Sequence, residues 1–217
     1  MKKVPFIAVE GPIGVGKTSL AKEIANQFSF ELLHEIVEEN PFLGKFYDNI
    51  EEWSFQTEMF FLCNRYKQLE DIDKYYLQKA RPVVSDYHIF KNMIFAKRTL
   101  QGDKRKKYEQ IYQILTEGLT TPNVLIYLHA NLDTLVKRIK KRGREIEKNI
   151  QADYLAQLSE DYKVFIEQFE QENPHFPVIH IDGDRYYFVE NEEDLEEILR
   201  IISEKLAHFS LERKSGQ

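Results

Sequence analysis

Short apolar runs alternate along this chain with longer stretches in which apolar residues recur every three or four positions. The short runs are rich in β-branched and aromatic residues and predict strands, whereas the spaced pattern predicts amphipathic helices. The predicted strands are Val4–Val9, Glu31–Val37, Pro82–Ser85, Val124–His129 and Val178–Ile181. The predicted helices are Lys17–Phe28, Glu51–Leu77, Ile89–Leu100, Lys104–Leu119, Leu132–Arg142, Ala152–Gln171 and Glu192–His208.

The order of these elements predicts the fold class. Five predicted strands alternate with helices, and parallel strands need crossover connections, which are usually helical. We therefore expect an α/β fold with a five-stranded parallel sheet and helices on both faces. No linker rich in proline, glycine or serine divides the 217 residues, so we expect a single domain over residues 1–217.

Composition and charge narrow the possible partners. A net charge of -6 argues against a nucleic-acid polymer, because binding its backbone requires a basic surface. The one cysteine, Cys63, excludes an internal disulfide and a thiolate metal cluster, and we expect it to be a small buried apolar residue. The apolar run that follows Lys3 is too short for a signal or membrane segment. We therefore expect a cytoplasmic protein without a membrane partner.

A glycine-rich segment after the first predicted strand matches the phosphate-binding pattern G-x-x-x-x-G-K-[ST] and opens a predicted helix. Its residues are Gly11, Pro12, Ile13, Gly14, Val15, Gly16, Lys17 and Thr18. Glycines let backbone N–H groups turn toward phosphate oxygens, and the helix N-terminus adds partial positive charge. We expect this segment to bind ATP, with Lys17 at the β- and γ-phosphates and the Thr18 hydroxyl on Mg²⁺. The alternative is an ordinary glycine turn with a surface lysine.

A second basic cluster follows the predicted helix Leu132–Arg142. Its residues are Arg138, Lys140, Lys141, Arg142 and Arg144. One interpretation is a solvated helix end, where cations suit the helix dipole. The other is a lid over about residues 138–150 that closes over ATP and excludes water. On that interpretation, Arg138 and Arg142 contact ATP, and Arg142 and Arg144 neutralise charge on the transferred group.

Several further motifs join the glycine-rich segment in one pattern that covers nearly the whole chain. They are Glu35-Ile36-Val37, Tyr47 followed by Trp53, Arg65 with a polar partner on one helix, and Arg138-x-x-x-Arg142-Gly143-Arg144 with Glu147. This pattern resembles the deoxynucleoside kinase family, and most of all its bacterial deoxyguanosine kinases. The resemblance implies ATP-dependent phosphorylation of a nucleoside 5′-hydroxyl, a five-stranded parallel sheet and a homodimer.

The same resemblance implies roles for two acidic side chains and one tyrosine. Glu35 matches the general base, and phosphoryl transfer to an alcohol does need an acceptor for the hydroxyl proton. Glu38 and Glu39 are neighbouring rivals for that role. Tyr47 and Glu147 match the pair that holds the sugar 3′-hydroxyl.

Asp86, at the end of the third predicted strand, matches the family's acidic position near Mg²⁺, so we expect it at the metal and the substrate. The family usually has Arg and Ser after this acid, but this chain has Tyr87 and His88. This chain therefore lacks the arginine that the resemblance would place near the general base. We expect His88 to be an ordinary residue at a helix start, since the chemistry needs no histidine.

Glu58 and Arg65 are the candidates for reading the nucleobase. They lie seven residues apart in a predicted helix and so share a face, whereas Gln56 is half a turn out of phase. Guanine presents adjacent N1–H and N2–H₂ donors to a carboxylate, and Arg65 can donate to O6 and N7. Asn92 is expected to assist at the base edge. The alternative for Glu58 and Arg65 is a surface ion pair of little energetic value.

These features predict a deoxyguanosine kinase, and three alternatives stay open. The acceptor could be deoxyadenosine or several deoxynucleosides. A nucleoside monophosphate kinase would need a further basic site, yet only Lys45 is cationic between Asn40 and Arg65. A nucleotide-binding regulator is the third alternative, although it would have no use for Glu35.

Overall fold

The computed structural model describes the backbone of residues 4–211 and the side chains of residues 4–207. The strands are β1 Phe6–Glu10, β2 Glu31–Leu33, β3 Val83–Ser85, β4 Val124–His129 and β5 Val178–Asp182. The helices are α1 Lys17–Phe28, α2 Leu43–Asp48, α3 Ile50–Tyr75, α4 Lys91–Thr99, α5 Gly102–Thr116, α6 Leu132–Arg142, α7 Ala152–Glu172 and α8 Glu192–Leu211. Short 3₁₀ turns lie at Leu77–Lys79 and Glu145–Glu147.

The strands form one parallel sheet in the order β2-β3-β1-β4-β5, which confirms the predicted fold class. Ile7 of β1 pairs with Val84 on one side and with Val124 on the other. Since β1 lies in the middle and helices cover both faces, all of its residues are buried. The chain order along the sheet reverses at β1, and such a switch point opens a crevice at the carboxyl ends of the strands. The glycine-rich segment follows β1 at that crevice.

The alternation of side chains along β1 divides the core between the two faces of the sheet. Ile7 and Val9 pack with α1 and α8, in a cluster that includes Leu20, Ile24, Ile126, Ile198 and Ile202. Ala8 faces the opposite way and packs in a cluster with Phe61, Ile94, Leu125, Leu158 and Tyr162. No described helix combines the length and the apolar composition that crossing a membrane requires.

The second strand is shorter than predicted. It ends at Leu33 instead of Val37, because the backbone N–H of Glu35 bonds to the side chain of Asp86, the residue after β3, and not to a backbone carbonyl. One carboxylate oxygen of Asp86 accepts the backbone N–H of Glu35 at 2.7 Å. Residues 34–42 therefore leave the sheet and run as a loop at the edge of the crevice.

Two further differences arise from helix positions. The helix α2 was not predicted, since it is too short for a clear period, although Leu43 and Phe46 on one side of it are buried. Cys63 is exposed, so the prediction of a buried cysteine was wrong. Its neighbours Leu62 and Arg65 occupy the inward face of that turn of α3.

The glycine-rich segment of residues 11–18, the phosphate loop, lies close to the sheet at Gly11. Its φ is 150°, and a Cβ atom there would lie 2.1 Å from the carbonyl oxygen of Leu128. We expect Gly11→Ala to lower the free energy of unfolding by about 2–4 kcal/mol, because the loop must move off β4. Gly44 in α2 has open space where a Cβ atom would lie, so Gly44→Ala should be neutral or slightly stabilising. Urea unfolding of both variants checks this, and equal midpoints would contradict it.

Candidate active site

A cavity of about 620 Å³ opens at the carboxyl ends of the strands. This volume is within the usual range for small-ligand sites. Many of the residues singled out from the sequence line it together, among them Lys17, Thr18, Glu35, Tyr47, Glu58, Arg65, Asp86, Arg142, Arg144 and Glu147. Residues distant in sequence thus converge on one site.

The phosphate loop wraps around the start of α1. The ammonium group of Lys17 donates to the carbonyl oxygens of Gly11 at 2.8 Å and Pro12 at 3.0 Å. Burial lowers the pKa of Lys17 to about 8, and the positive charge of Lys91 contributes to that shift. Ile13, Gly14 and Gly16 line the cavity with Lys17. A positive charge and a glycine loop therefore face the space where phosphates are expected.

Thr18 and Asp86 place two hard oxygen atoms side by side. The Thr18 hydroxyl donates to one carboxylate oxygen of Asp86 at 2.6 Å, and His34 Nδ1 lies 3.4 Å from the same oxygen. Asp86 is buried at the end of β3. The described residues contain no cluster of three His, Cys, Asp or Glu suited to a metal ion. A pair of oxygens fits Mg²⁺, which commonly takes few protein ligands and completes its shell with water and phosphate.

Glu35 lies on the loop after β2 and is clamped by two cations. Arg65 donates to Glu35 Oε1 through Nε at 3.1 Å and through Nη2. Lys91 Nζ lies 3.0 Å from both carboxylate oxygens. Burial by itself raises the pKa of Glu35, but the charges of Lys91, Arg65 and Lys17 outweigh burial and lower the pKa to about 2. The carboxylate is therefore ionised and held at the cavity wall.

Arg65 contacts partners that the sequence did not indicate. Its Nη1 donates to Asn92 Oδ1 at 2.6 Å, and Asn92 in turn donates to the Tyr108 hydroxyl at 2.7 Å. Asn92 is fully buried and is not among the residues that line the cavity. The chain Glu35–Arg65–Asn92–Tyr108 is thus a continuous polar network, buried except at Glu35, which is partly exposed.

Glu58 is a buried carboxyl group on the cavity wall. It is only 2% exposed, and Arg65 only 4%, so the two do not form a surface ion pair. The Thr99 hydroxyl lies 3.4 Å from Glu58 Oε1. Burial raises the pKa of Glu58 to about 7 against the opposing charge of Arg65. At neutral pH this group can therefore gain or lose a proton readily.

The basic cluster after α6 meets two acids at the cavity mouth. Gly143, with φ 67°, ends α6. Arg142 donates to both carboxylate oxygens of the buried Glu147, and Arg144 Nε lies 3.3 Å from Glu38. Tyr47 lines the cavity near Glu147, and burial together with that charge raises the Tyr47 pKa above its usual range.

Arg138 lies apart from this cluster. Its guanidinium donates to the carbonyl oxygens of Val15 and Gly183, each at 2.8 Å. It therefore ties α6 to the phosphate loop and to the loop after β5, and it does not line the cavity.

Tyr87 and His88 follow Asp86 at the positions where the family usually has Arg and Ser. Tyr87 is fully buried, and its hydroxyl donates to Gln68 at 2.8 Å. His88 Nδ1 accepts the backbone N–H of Phe90, and burial lowers the pKa of His88 to about 3. His88 is therefore a neutral residue of the turn before α4. A second cation beside Glu35 comes instead from Lys91, which no sequence motif indicated.

The sequence signal for Lys91 was a lysine among apolar residues at a helix start, which is not distinctive.

Glu10 was also missed. Its fully buried carboxylate accepts the backbone N–H groups of Gly11 and His88 and the hydroxyl of Tyr162. Burial raises the pKa of Glu10. This residue ties the phosphate loop to the turn before α4 and to α7.

Known proteins share this architecture. Residues 7–208 match the family model described as deoxynucleoside kinase. The chain is 53% identical to a deoxyguanosine kinase of Bacillus subtilis (strain 168), covering 94% of this chain and 99% of that protein. It is 32% identical to a deoxyadenosine/deoxycytidine kinase of the same strain, covering 91% of each. A solved structure of deoxyadenosine kinase from M. mycoides with bound dATP superposes with a TM-score of 0.78 at 25% identity, covering 92% of this chain and 99% of that one. The chain belongs to the deoxynucleoside kinase family.

Proposed function

We propose that this protein is a deoxyguanosine kinase, which transfers the γ-phosphate of ATP to the 5′-hydroxyl of deoxyguanosine. The observation that carries this function is one cavity bounded by the phosphate loop, by the carboxylate of Glu35 and by the buried carboxyl of Glu58. The 53% identity to a deoxyguanosine kinase over nearly the full length of both chains supports the same substrate.

The positions of the cavity residues support the following reaction. The loop N–H groups and Lys17 bind the ATP phosphates. Glu35 accepts the proton of the 5′-hydroxyl, the 5′-oxygen bonds to the γ-phosphorus, and the bond from that phosphorus to the ADP oxygen breaks. Thr18 and Asp86 are the residues that would hold Mg²⁺, and a bound Mg²⁺ would neutralise charge on the β- and γ-phosphates.

The rest of the cavity selects and encloses the nucleoside. Tyr47 and Glu147 hold the sugar 3′-hydroxyl, and Glu58 accepts the N1–H and N2–H₂ donors of guanine. The segment 138–150 closes as a lid whose Arg142 and Arg144 turn from carboxylate to phosphate partners. The contact from Arg144 to Glu38 is weak and easily exchanged, because the Glu38 side chain is 71% exposed.

Arg65 and Asn92 act at the base edge through the network that they share. Arg65 can donate to guanine O6 and N7 only through N–H groups that face the cavity, because its other N–H groups donate to Glu35 and Asn92. Arg138 supports the ATP site from behind the phosphate loop. These roles rest on the contacts of each side chain and on the family resemblance.

The wider properties rest on sequence and family resemblance alone. We infer that residues 1–217 act as one kinase domain, that the protein forms a homodimer, and that it works in the cytoplasm. The acidic net charge of -6 supports small nucleotides and not a nucleic-acid polymer as ligands. Sedimentation equilibrium checks the dimer, and a single monomeric species at micromolar concentration would contradict it.

A nucleoside screen tests the proposed function. Purified protein is given ATP, Mg²⁺ and each common deoxyribonucleoside or ribonucleoside in turn, and ADP release is measured. We expect the largest kcat/KM with deoxyguanosine, by about 10²-fold or more over deoxyadenosine. The relatives that act on deoxyadenosine make that nucleoside the second candidate. Absence of nucleoside-dependent ADP release would overturn the function, and a higher rate with deoxyadenosine would overturn the substrate.

A further inference from the structure

Lys91 is a buried cation in the cavity, and the motifs give it no role. It is the first residue of α4 and only 4% exposed. Its Nζ lies 3.0 Å from both carboxylate oxygens of Glu35. An ammonium group has three donors, and in the described part of the chain the hydrogen-bond acceptors of Lys91 Nζ are those two oxygens, with the centroid of the Phe95 ring 5.6 Å away. At least one N–H is therefore available to a ligand in the cavity.

Glu35 is held in place without Lys91. Arg65 donates to it through two nitrogens, and Asp86 accepts its backbone N–H at 2.7 Å. Arg65 itself is fixed by Asn92, and its guanidinium lies 4.6 Å from the ring centroid of Phe61. Because these contacts already orient the carboxylate, a second buried cation beside it needs another explanation. Burying a charge is costly unless it is paired.

The location of Lys91 provides that explanation. A base accepts a proton across a hydrogen bond, so the 5′-oxygen must lie close to Glu35 and within about 6 Å of Lys91 Nζ. Lys91 also lines the same cavity as Lys17 of the phosphate loop. Two like charges that converge on one cavity favour an anion between them.

On the basis of the proposed function, we propose that Lys91 is a catalytic residue whose ammonium group donates to the γ-phosphoryl group during its transfer to the 5′-oxygen. Charge on the transferred group is spread over its three equatorial oxygens, and a fixed donor there stabilises the transition state. The ammonium group transfers no proton in this step. The proton of the 5′-hydroxyl goes to Glu35, and the electrons of the broken phosphorus–oxygen bond leave with ADP.

Three variants of α4 test this role in an enzyme whose wild type first shows nucleoside-dependent ADP release. Lys91→Met should lower kcat by about 10²-fold, with the KM for deoxyguanosine and the affinity for ATP changed less than about threefold. Lys91→Arg should restore at least a tenth of the wild-type rate, since it retains a buried donor cation. Lys97→Met is the matched control, because Lys97 is an exposed residue of the same helix, and its kcat should match the wild type.

A double variant separates action on the phosphoryl group from an effect through Glu35. In the Glu35→Gln background, Lys91→Met should lower the remaining rate by a further tenfold or more. If the second change costs nothing there, Lys91 acts only by holding Glu35 and the proposal is overturned. Should Lys91→Met fail to fold, Lys91→Gln replaces it, and a folded Lys91→Gln with the wild-type kcat would equally overturn the proposal. A wild type inactive towards all nucleosides would instead reject the proposed function.

Discussion

Replacement of Glu35 by Gln is expected to lower kcat for deoxyguanosine by about 10²–10⁴-fold, with less than about threefold change in nucleoside affinity. The amide has nearly the size of the carboxylate and still accepts a hydrogen bond from Arg65, but it cannot take the proton of the 5′-hydroxyl. Steady-state kinetics of ADP release gives kcat, and a direct binding titration gives the affinity.

An unfolding measurement and a control variant test whether a loss of rate reflects the loss of the general base. The substitution removes the charge that pairs two buried cations, Arg65 and Lys91, and loss of one partner in such a cluster costs about 3–5 kcal/mol of stability. Thermal unfolding must therefore show that the variant is folded at the assay temperature. Glu39→Gln is the matched rival, since Glu39 is exposed on the same loop. If Glu39→Gln abolishes the rate and Glu35→Gln leaves it unchanged, Glu39 and not Glu35 is the general base.

Glu58→Gln is expected to reduce the preference for deoxyguanosine over deoxyadenosine by about 10³-fold in kcat/KM. The carboxylate accepts two donors from guanine, whereas an amide can donate to adenine N1 and accept from its N6 amino group. Polar groups left unpaired in a buried site cost about 1–3 kcal/mol each. The variant should therefore prefer deoxyadenosine to deoxyguanosine. Competition between the two nucleosides in one assay measures the ratio directly. An unchanged ratio would reject Glu58 as the group that selects the base.

The raised pKa of Glu58 adds a pH dependence with a definite sign. Because its pKa is about 7, the carboxyl group is increasingly protonated as the pH falls below 7. Guanine donors need the ionised form, so wild-type kcat/KM for deoxyguanosine should fall with pH below about 7. This limb should be absent in Glu58→Gln. Glu51→Gln is the control, since Glu51 is an exposed residue of α3, and it should keep both the wild-type ranking and the pH limb.

The resemblance to relatives with different nucleosides makes these tests informative. The chain is 53% identical to a deoxyguanosine kinase but also 32% identical to a deoxyadenosine/deoxycytidine kinase. The phosphate loop and the proposed base serve any such acceptor, so they cannot explain a choice of nucleobase. A few side chains on the cavity wall must carry that choice, and Glu58 is a buried acid on that wall.

The sequence by itself determined the features that depend on near neighbours. Short apolar runs predicted all five strands, and the spacing of apolar residues at about 3.6 positions predicted most helices. The elements α1, α6 and β4 begin and end where predicted. The phosphate loop was likewise recognisable, because its function depends on the spacing of Gly11, Gly16 and Lys17 within one turn. Helical phase also placed Glu58 and Arg65 on one side of α3, and both are buried there.

Only the tertiary structure decided which of these side chains meet. The partners of Glu35 are Arg65 and Lys91, 30 and 56 residues away along the chain, and the sheet order and the packing of α3 and α4 bring them together. The helical period indicated the face of α3 on which Arg65 lies, but it did not indicate that Glu35 would be its partner. The early end of β2 has the same origin, since the carboxylate of Asp86 competes for the backbone N–H of Glu35. Local patterns specify elements, whereas long-range packing specifies the charges that each element contributes to the cavity.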